Sequence, residues 1–399
     1  MDVSPWSVLG CRTAELAQPF SGGGAVAVLI TGSAIRTCLG DGESTFSALL
    51  QGKSGISPLS YFQPAKLNVR FGYQIIEAAE EQWFRAGRWL TSCVRDALSQ
   101  ARVDPNRMRV AAIVGTGLRE LRSVERWALE DSKIPIERLH FASALHEVSP
   151  CIKDVITLSN ACSASGHALA LAQDLIELGE ADAVIAAGVD AMTASMLAMI
   201  GRFSDSPTEC VRPFDAGRTG TLLGEGAAVV IVTPESSSTQ PLARLLSTGL
   251  SCDAYHETAP NGDGIRRAMQ DAISRAQRVP AQVDLVVAHG TGTALNEPAE
   301  AQLIREMLCG HTPGPWITAV KGALGHTSGA SALVSVDVAI RCLQAGIVPP
   351  VVGLNNLLSE GQGLRFVVGD PASADLRLAA VNAFGFGGVN SVTLVEAAA

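Results

Sequence analysis

No run of eighteen or more apolar residues is present. The longest apolar stretch, residues 181–201, is broken by Asp182 and Asp190, so no membrane span is expected. No C-x-x-C pair occurs either. The nine cysteines are odd in number and scattered from Cys11 to Cys342, a pattern that fits neither a disulfide framework nor a zinc site; reduced thiols and no metal are expected. Positive charge is scarce: 30 Lys and Arg stand against 39 Asp and Glu, and the net charge of −9 argues against nucleic acid or anionic membrane as the main partner. The first 24 residues lack an apolar h-region, so no secretory signal is expected and a cytoplasmic place follows. Charged residues make up only 17% against 47% hydrophobic, with 39 Gly, which excludes general disorder and supports a large buried core.

Residues 1–24 end in Ser21-Gly22-Gly23-Gly24 without any period and read as a mobile extension before a first strand at Ala25 to Thr31. Beyond it, short β-branched runs (VAAIVG at 110–115, DVITLSN at 154–160, ADAVIAAG at 181–188, AAVVIV at 227–232, VDLVVAHG at 283–290) alternate with Ala/Leu-rich stretches, the pattern of an α/β fold. The chain also resembles itself. VAAIVGTGL (110–118) matches DLVVAHGTGT (284–293), ITLSNACSASGHALAL (156–171) matches ITAVKGALGHTSGASAL (317–333), and LLGEGAAVVIVTPE (222–235) matches FGFGGVNSVTLVE (384–396). Three collinear matches point to a duplication, with an N-terminal half at 25–244 and a C-terminal half at 245–399 packed face to face.

Cys162 ends a β-branched run, and residues 163–178 after it read as a helix closed by Gly179. A thiol there lies at a helix N-terminus, where free N–H groups and the positive dipole end stabilise a thiolate and hold a developing oxyanion. His289 closes the strand VDLVVA and opens a Gly/Thr turn, which points it into the crevice at the strand ends. His326 follows Lys321-Gly322-Ala323-Leu324-Gly325 and precedes a helix running to about Ala345. By the repeat this is the unit that carries Cys162, so three reactive side chains fall at equivalent positions of the duplicated framework. A cysteine hydrolase needs one His; a second becomes useful when another negative oxygen must be held. Two imidazole N–H groups on one thioester carbonyl would hold an enolate, the need in carbon–carbon bond formation from a decarboxylating thioester.

NACSASG at 160–166, HGTGT at 289–293, K-x4-GH at 321–326 with SGA at 328–330, and NAFGFGGVNS at 382–391 together resemble the four signatures of the elongating-type β-ketoacyl-[acyl carrier protein] synthases of the thiolase superfamily, over residues 25–399. RPFDAGRTGTLLGEGA (212–227), the 30–56 region and DAYHETAP (253–260) match further family segments. The resemblance implies a thiolase-like duplicated fold of five layers, αβαβα. It makes Cys162 the nucleophile that takes an acyl chain from a phosphopantetheine thioester, and His289 and His326 the pair that binds the malonyl carbonyl. Lys321 would organise the site through Glu300, Thr291 and Thr293 would contact the pantetheine arm, and Phe384 would be the gate and, with Cys162, supply the oxyanion N–H groups. Implied partners are a phosphopantetheinylated acyl carrier protein, malonyl and acyl thioesters, and a second subunit, in a homodimer or a heterodimer with a related ketosynthase chain. No cofactor is implied, and the Gly-rich pieces at 115–117 and 224–226 complete no nucleotide motif. Acidic carriers call for a local Lys/Arg patch at the tunnel mouth.

The chain departs from the family pattern in three places: Pro150 without a Gly-Pro before the Cys162 strand, a short 117–150 stretch, and Asn296-Glu297 where Asn-Asp is usual. The competing expectation is a non-catalytic partner subunit like a chain-length factor; such subunits lack the nucleophilic Cys that stands here at 162.

Overall fold

The computed structural model describes residues 27–63, 66–77, 83–130, 133–202, 206–237, 240–310 and 314–398. The extension expected at 1–24 lies outside them, as does the start of the strand expected from Ala25. That strand, β1, runs Val28–Thr37 and so continues past its expected end at Thr31. A bulge between Ile30 and Gly32 lets it do so, and Gly32 admits the carbonyl of Ala97, which would lie 2.2 Å from any Cβ there.

Ten further strands complete the main path: β2 (Val110–Gly115), β3 (Asp154–Leu158), β4 (Ala183–Asp190), β5 (Gly226–Pro234), β6 (Ala243–Cys252), β7 (Leu285–Val287), β8 (Trp316–Thr318), β9 (Arg365–Phe366), β10 (Leu378–Gly385) and β11 (Val389–Ala397). Their order is β9-β8-β7-β10-β11-β6-β1-β5-β4-β2-β3, with Gly40–Asp41 beside β1. The same succession of pairings occurs twice. β1–β5 and β5–β4 are antiparallel, then β4–β2 and β2–β3 are parallel. Likewise β6–β11 and β11–β10 are antiparallel, then β10–β7 and β7–β8 are parallel. The three sequence matches fall on β2 and β7, on β3 and β8 with the helices that follow them, and on β5 and β11. The two sets join where β1 pairs antiparallel with β6; residue 245 is the third of β6.

Helix α1 (Arg85–Ala101) covers the outer face of β1, β5 and β4, and α3 (Gly262–Arg275) covers β6 and β11. Between the two sets lie α2 (Ala164–Glu177) and α6 (Ser331–Ala345), giving the layers α, β, α, β, α. β4 shows why. All eight of its residues are buried: Val184 and Ala186 face the central helices while Ala183, Ile185, Ala187 and Val189 face α1, so its sequence is apolar up to the terminal Asp190 rather than alternating. α6 is buried nearly all round, as a helix between two sheets must be. Gly115 ends β2 under the start of α2, where a Cβ would lie 2.4 Å from the backbone of Ala164 and Ser165. That close approach sets the first turn of α2 against the sheet.

Candidate active site

Cys162 sits in a 3-10 turn, Ala161–Ser163, just before α2. The turn opens with Ala161 in the left-handed region at φ 49°. In the other half the turn Ser328–Ala330 precedes α6 and opens with Ser328 at φ 48°. Gly329, not His326, therefore stands where Cys162 stands. The expectation of equivalent reactive positions is corrected: the short helix α5, Lys321–Leu324, which follows α4 (Asn296–Leu308), precedes the second turn and leaves His326 three residues ahead of Cys162's counterpart.

His289 lies just past β7, 2% exposed. Its peptide is clamped from both sides. Glu300 Oε1 accepts the His289 N–H at 2.7 Å and Oε2 accepts that of Gly290 at 2.9 Å. The Lys321 ammonium donates to the His289 carbonyl and lies 3.4 Å from its Nδ1. Lys321 and Glu300 thus act on the same residue rather than directly on each other, and the amides of Asn382 (2.9 Å) and Asn296 (3.2 Å) satisfy the rest of the carboxylate. Burial pulls Lys321 down to about 8 while the charge of Glu300 resists, so it remains an ammonium at neutral pH.

His326 is held by its backbone and its ring. Its N–H donates to Leu222 O at 2.8 Å and its carbonyl accepts from Gly224 N at 2.9 Å, which gives the 212–227 motif a structural task. Nδ1 accepts the N–H of Ser328 at 3.1 Å and lies 3.1 Å from Ser331 Oγ. A backbone N–H only donates, so Nδ1 carries a lone pair and the ring proton sits on Nε2. That Nε2 is buried and has no partner among the described residues. The Lys321 ammonium beside Nδ1 of His289 selects the same tautomer there. Burial, then the Lys321 charge, keeps both imidazoles well below their usual value, so both are neutral N–H donors. The rings lie 5.5 Å apart, edge to face.

The Cys162 thiol is pushed up to about 11 by burial, against Lys321 and the N–H of Phe386, which pull it down. This direction is opposite to that expected for a thiol at a helix end. Phe384 is corrected as well. It lies within β10 opposite Asn390, 6% exposed, with its ring 5.6 Å from that of His289. The N–H that reaches Cys162 is that of Phe386, two residues on, whose side chain is 40% exposed.

Cys162, His289, His326, Phe384 and Phe386 line one cavity of about 300 Å³ together with Thr291 and Thr293, while Lys321 and Glu300 are not among its lining residues. The two hydroxyls lie 3.0 Å apart. Glu297 supports their loop from below, accepting the N–H groups of Gly292 and Thr293, so the longer carboxylate is accommodated as a loop anchor. His256, in the 253–260 segment, accepts the N–H groups of Thr258 and Ala259 at 3.1 Å each and shapes a turn. No group of His, Cys, Asp and Glu among the described residues could hold a metal ion, and no described helix is long and apolar enough to cross a membrane.

Burial raises Glu297 to about 7. Its unfolded carboxyl ionises near 4.5, so the stability it lends is full below that pH and is lost as pH rises through about 7. Relative to Glu297→Gln, the protein is expected to lose up to about 3 kcal/mol between pH 5 and 8, measured by urea unfolding. Parallel pH profiles for the two proteins would overturn this.

Residues 154–238 match the family described as "Beta-ketoacyl synthase, N-terminal domain" and residues 242–355 that described as "Beta-ketoacyl synthase, C-terminal domain". The chain is 31% identical to the 3-oxoacyl-[acyl-carrier-protein] synthase 2 of Mycobacterium leprae, over 91% of its own length and 94% of that protein. It is 30% identical to Nodulation protein E of Rhizobium meliloti, over 92% and 98%. Among solved structures, the ishigamide ketosynthase/chain length factor superposes with a TM-score of 0.84 at 26% identity, covering 94% of this chain and all of that one.

Proposed function

The chain belongs to the β-ketoacyl synthase family, and on that premise we propose that it is an acyltransferase joining a Cys162-bound acyl group to a malonyl unit, both delivered as acyl carrier protein thioesters, in fatty acid or polyketide synthesis. The observation that carries the reading is the pair of neutral imidazoles whose Nδ1 atoms are occupied and whose Nε2–H groups are left to serve one oxygen.

In the first half-reaction the Cys162 sulfur attacks the acyl thioester carbonyl, the oxyanion sits on the N–H groups of Cys162 and Phe386, and the thiol proton leaves with the pantetheine thiolate. Then malonyl thioester enters past Thr291 and Thr293. Its carboxylate departs as carbon dioxide, the bonding pair passes to the α-carbon and thioester oxygen, and the Nε2–H groups of His289 and His326 hold that enolate. The α-carbon attacks the acyl carbonyl, and the broken C–S bond returns Cys162 as a thiolate that takes a proton from solvent. Lys321 and Glu300 keep His289 in place throughout.

Two halves dividing near residue 244, a cytoplasmic place and a second subunit belong to the same reading. The edge strand β3 offers the surface for that subunit, a second copy or a related chain: it is one of the two ends of the sheet's strand order, Ile156 on it is 42% exposed, and it leads straight to the Cys162 turn. Light scattering is expected to give the mass of two chains, and Ile156→Lys to give one. The half-exposed Arg218, which donates to the carbonyls of the cavity-lining Thr293 and Ala294, and the exposed Arg202, two residues beyond the cavity-lining Ile200, would supply cations for an acidic carrier.

Intact-protein mass spectrometry with acyl and then malonyl carrier proteins tests the reaction. An acyl mass on Cys162, discharged as a β-ketoacyl carrier, is expected. Failure of every acyl carrier to modify Cys162, with partner subunits present, would favour the non-catalytic subunit.

A further inference from the structure

Asp190, the last residue of β4, is 1% exposed and takes part in none of the steps above. Its Oδ1 accepts from Thr116 Oγ1 and Leu118 N, both at 2.7 Å, and its Oδ2 accepts from Gly117 N at 2.8 Å and Gly329 N at 2.6 Å. The duplication gives this arrangement a meaning. Gly329 is the counterpart of Cys162. In register, Val110 opposite Ala183 corresponds to Leu285 opposite Ala379, and seven residues further on Asp190 corresponds to Phe386. Cys162 and Phe386 flank the place where a substrate oxyanion would sit; Gly329 and Asp190 hold the matching place in the other half. There the oxygen is the protein's own.

We propose that Asp190 is a positioning residue for His326: its carboxylate occupies the counterpart of the oxyanion site and anchors the 328–330 turn that aims the His326 Nε2–H. The link is short. Gly329 follows Ser328, whose N–H fixes the tautomer of the imidazole, and the same carboxylate ties that turn to residues 116–118 of the opposite half. Burial lifts Asp190 to about 6, so at neutral pH it remains ionised and able to accept all four bonds.

The inference rests on the proposed role of His326, and the test separates the two. Two rates are measured on the full chain: acylation of Cys162 by an acyl carrier protein, and carbon dioxide release from malonyl carrier protein. Asp190→Ala is expected to keep acylation within about threefold while carbon dioxide release falls about 10- to 100-fold, the scale for a misplaced catalytic group. Asp190→Asn can turn its oxygen toward Gly117 and Gly329 and its amide toward the Thr116 hydroxyl, leaving the N–H of Leu118 without its acceptor, so it is expected to restore part of that loss. Equal losses in both rates, no loss in either, or an Asn variant no better than Ala would overturn the proposal. Failure of both variants to fold would also overturn it, since the carboxylate would then be a requirement of the fold. If unsubstituted protein neither acylates nor releases carbon dioxide, it is the proposed function that fails.

Discussion

Cys162→Ala, offered any acyl carrier thioester, is expected to gain no acyl mass, and condensation should fall by more than about 10⁴-fold, as when a covalent nucleophile is removed elsewhere. Release of carbon dioxide from malonyl carrier protein should continue, because the clamps on His289 and the tautomer of His326 do not depend on the thiol. The variant would thus spend malonyl units without extending anything. Loss of carbon dioxide release together with acylation would mean that the imidazole pair does not act independently of Cys162.

His326→Ala is the complementary experiment. It removes one of the two donors on the enolate oxygen, a change that costs about 10²- to 10³-fold, or about 3–4 kcal/mol, when a single oxyanion donor is lost. The effect belongs in the decarboxylation rate, with Cys162 acylation near its original value and acyl-enzyme accumulating. His326→Asn is expected to recover part of the rate, since an amide can donate to the same oxygen. Acylation falling in step with decarboxylation would place His326 in the first half-reaction instead. Together the two variants split the cycle at the acyl-enzyme.

Much of this site was legible in the sequence because its chemistry is punctuated by glycine. Cys162, His289, Lys321 and His326 stand beside glycine-bearing turns, and the two long central helices stop near where Gly179 and Gly346 place their ends. What escaped depends on direction and depth. Phe384 and Phe386 are the same residue type two apart; only where β10 gives way to the Phe386–Gly388 turn decides which N–H meets the thiol. The helix-end argument for Cys162 saw the dipole but not the desolvation that raises the thiol. Asp190 read only as an interruption of an apolar run, because its four partners come from loops remote in sequence.

The strand order also sets a timetable. β1 lies in the middle of the sheet, and its long partner β5 is made about 200 residues later. At ribosomal rates of roughly 5–20 residues per second, the first strand emerges and then waits about 10–40 s for its mate. β6 waits in the same way for β11, at the far end of the chain. Neither half can complete its pairing early, so loop-closure entropy falls due before the long-range contacts that offset it. A product ending before β5 would leave Val28–Thr37 with only Gly40–Asp41 beside it, and one ending before β11 would leave one edge of Ala243–Cys252 open, each a template for wrong pairing until its mate is made.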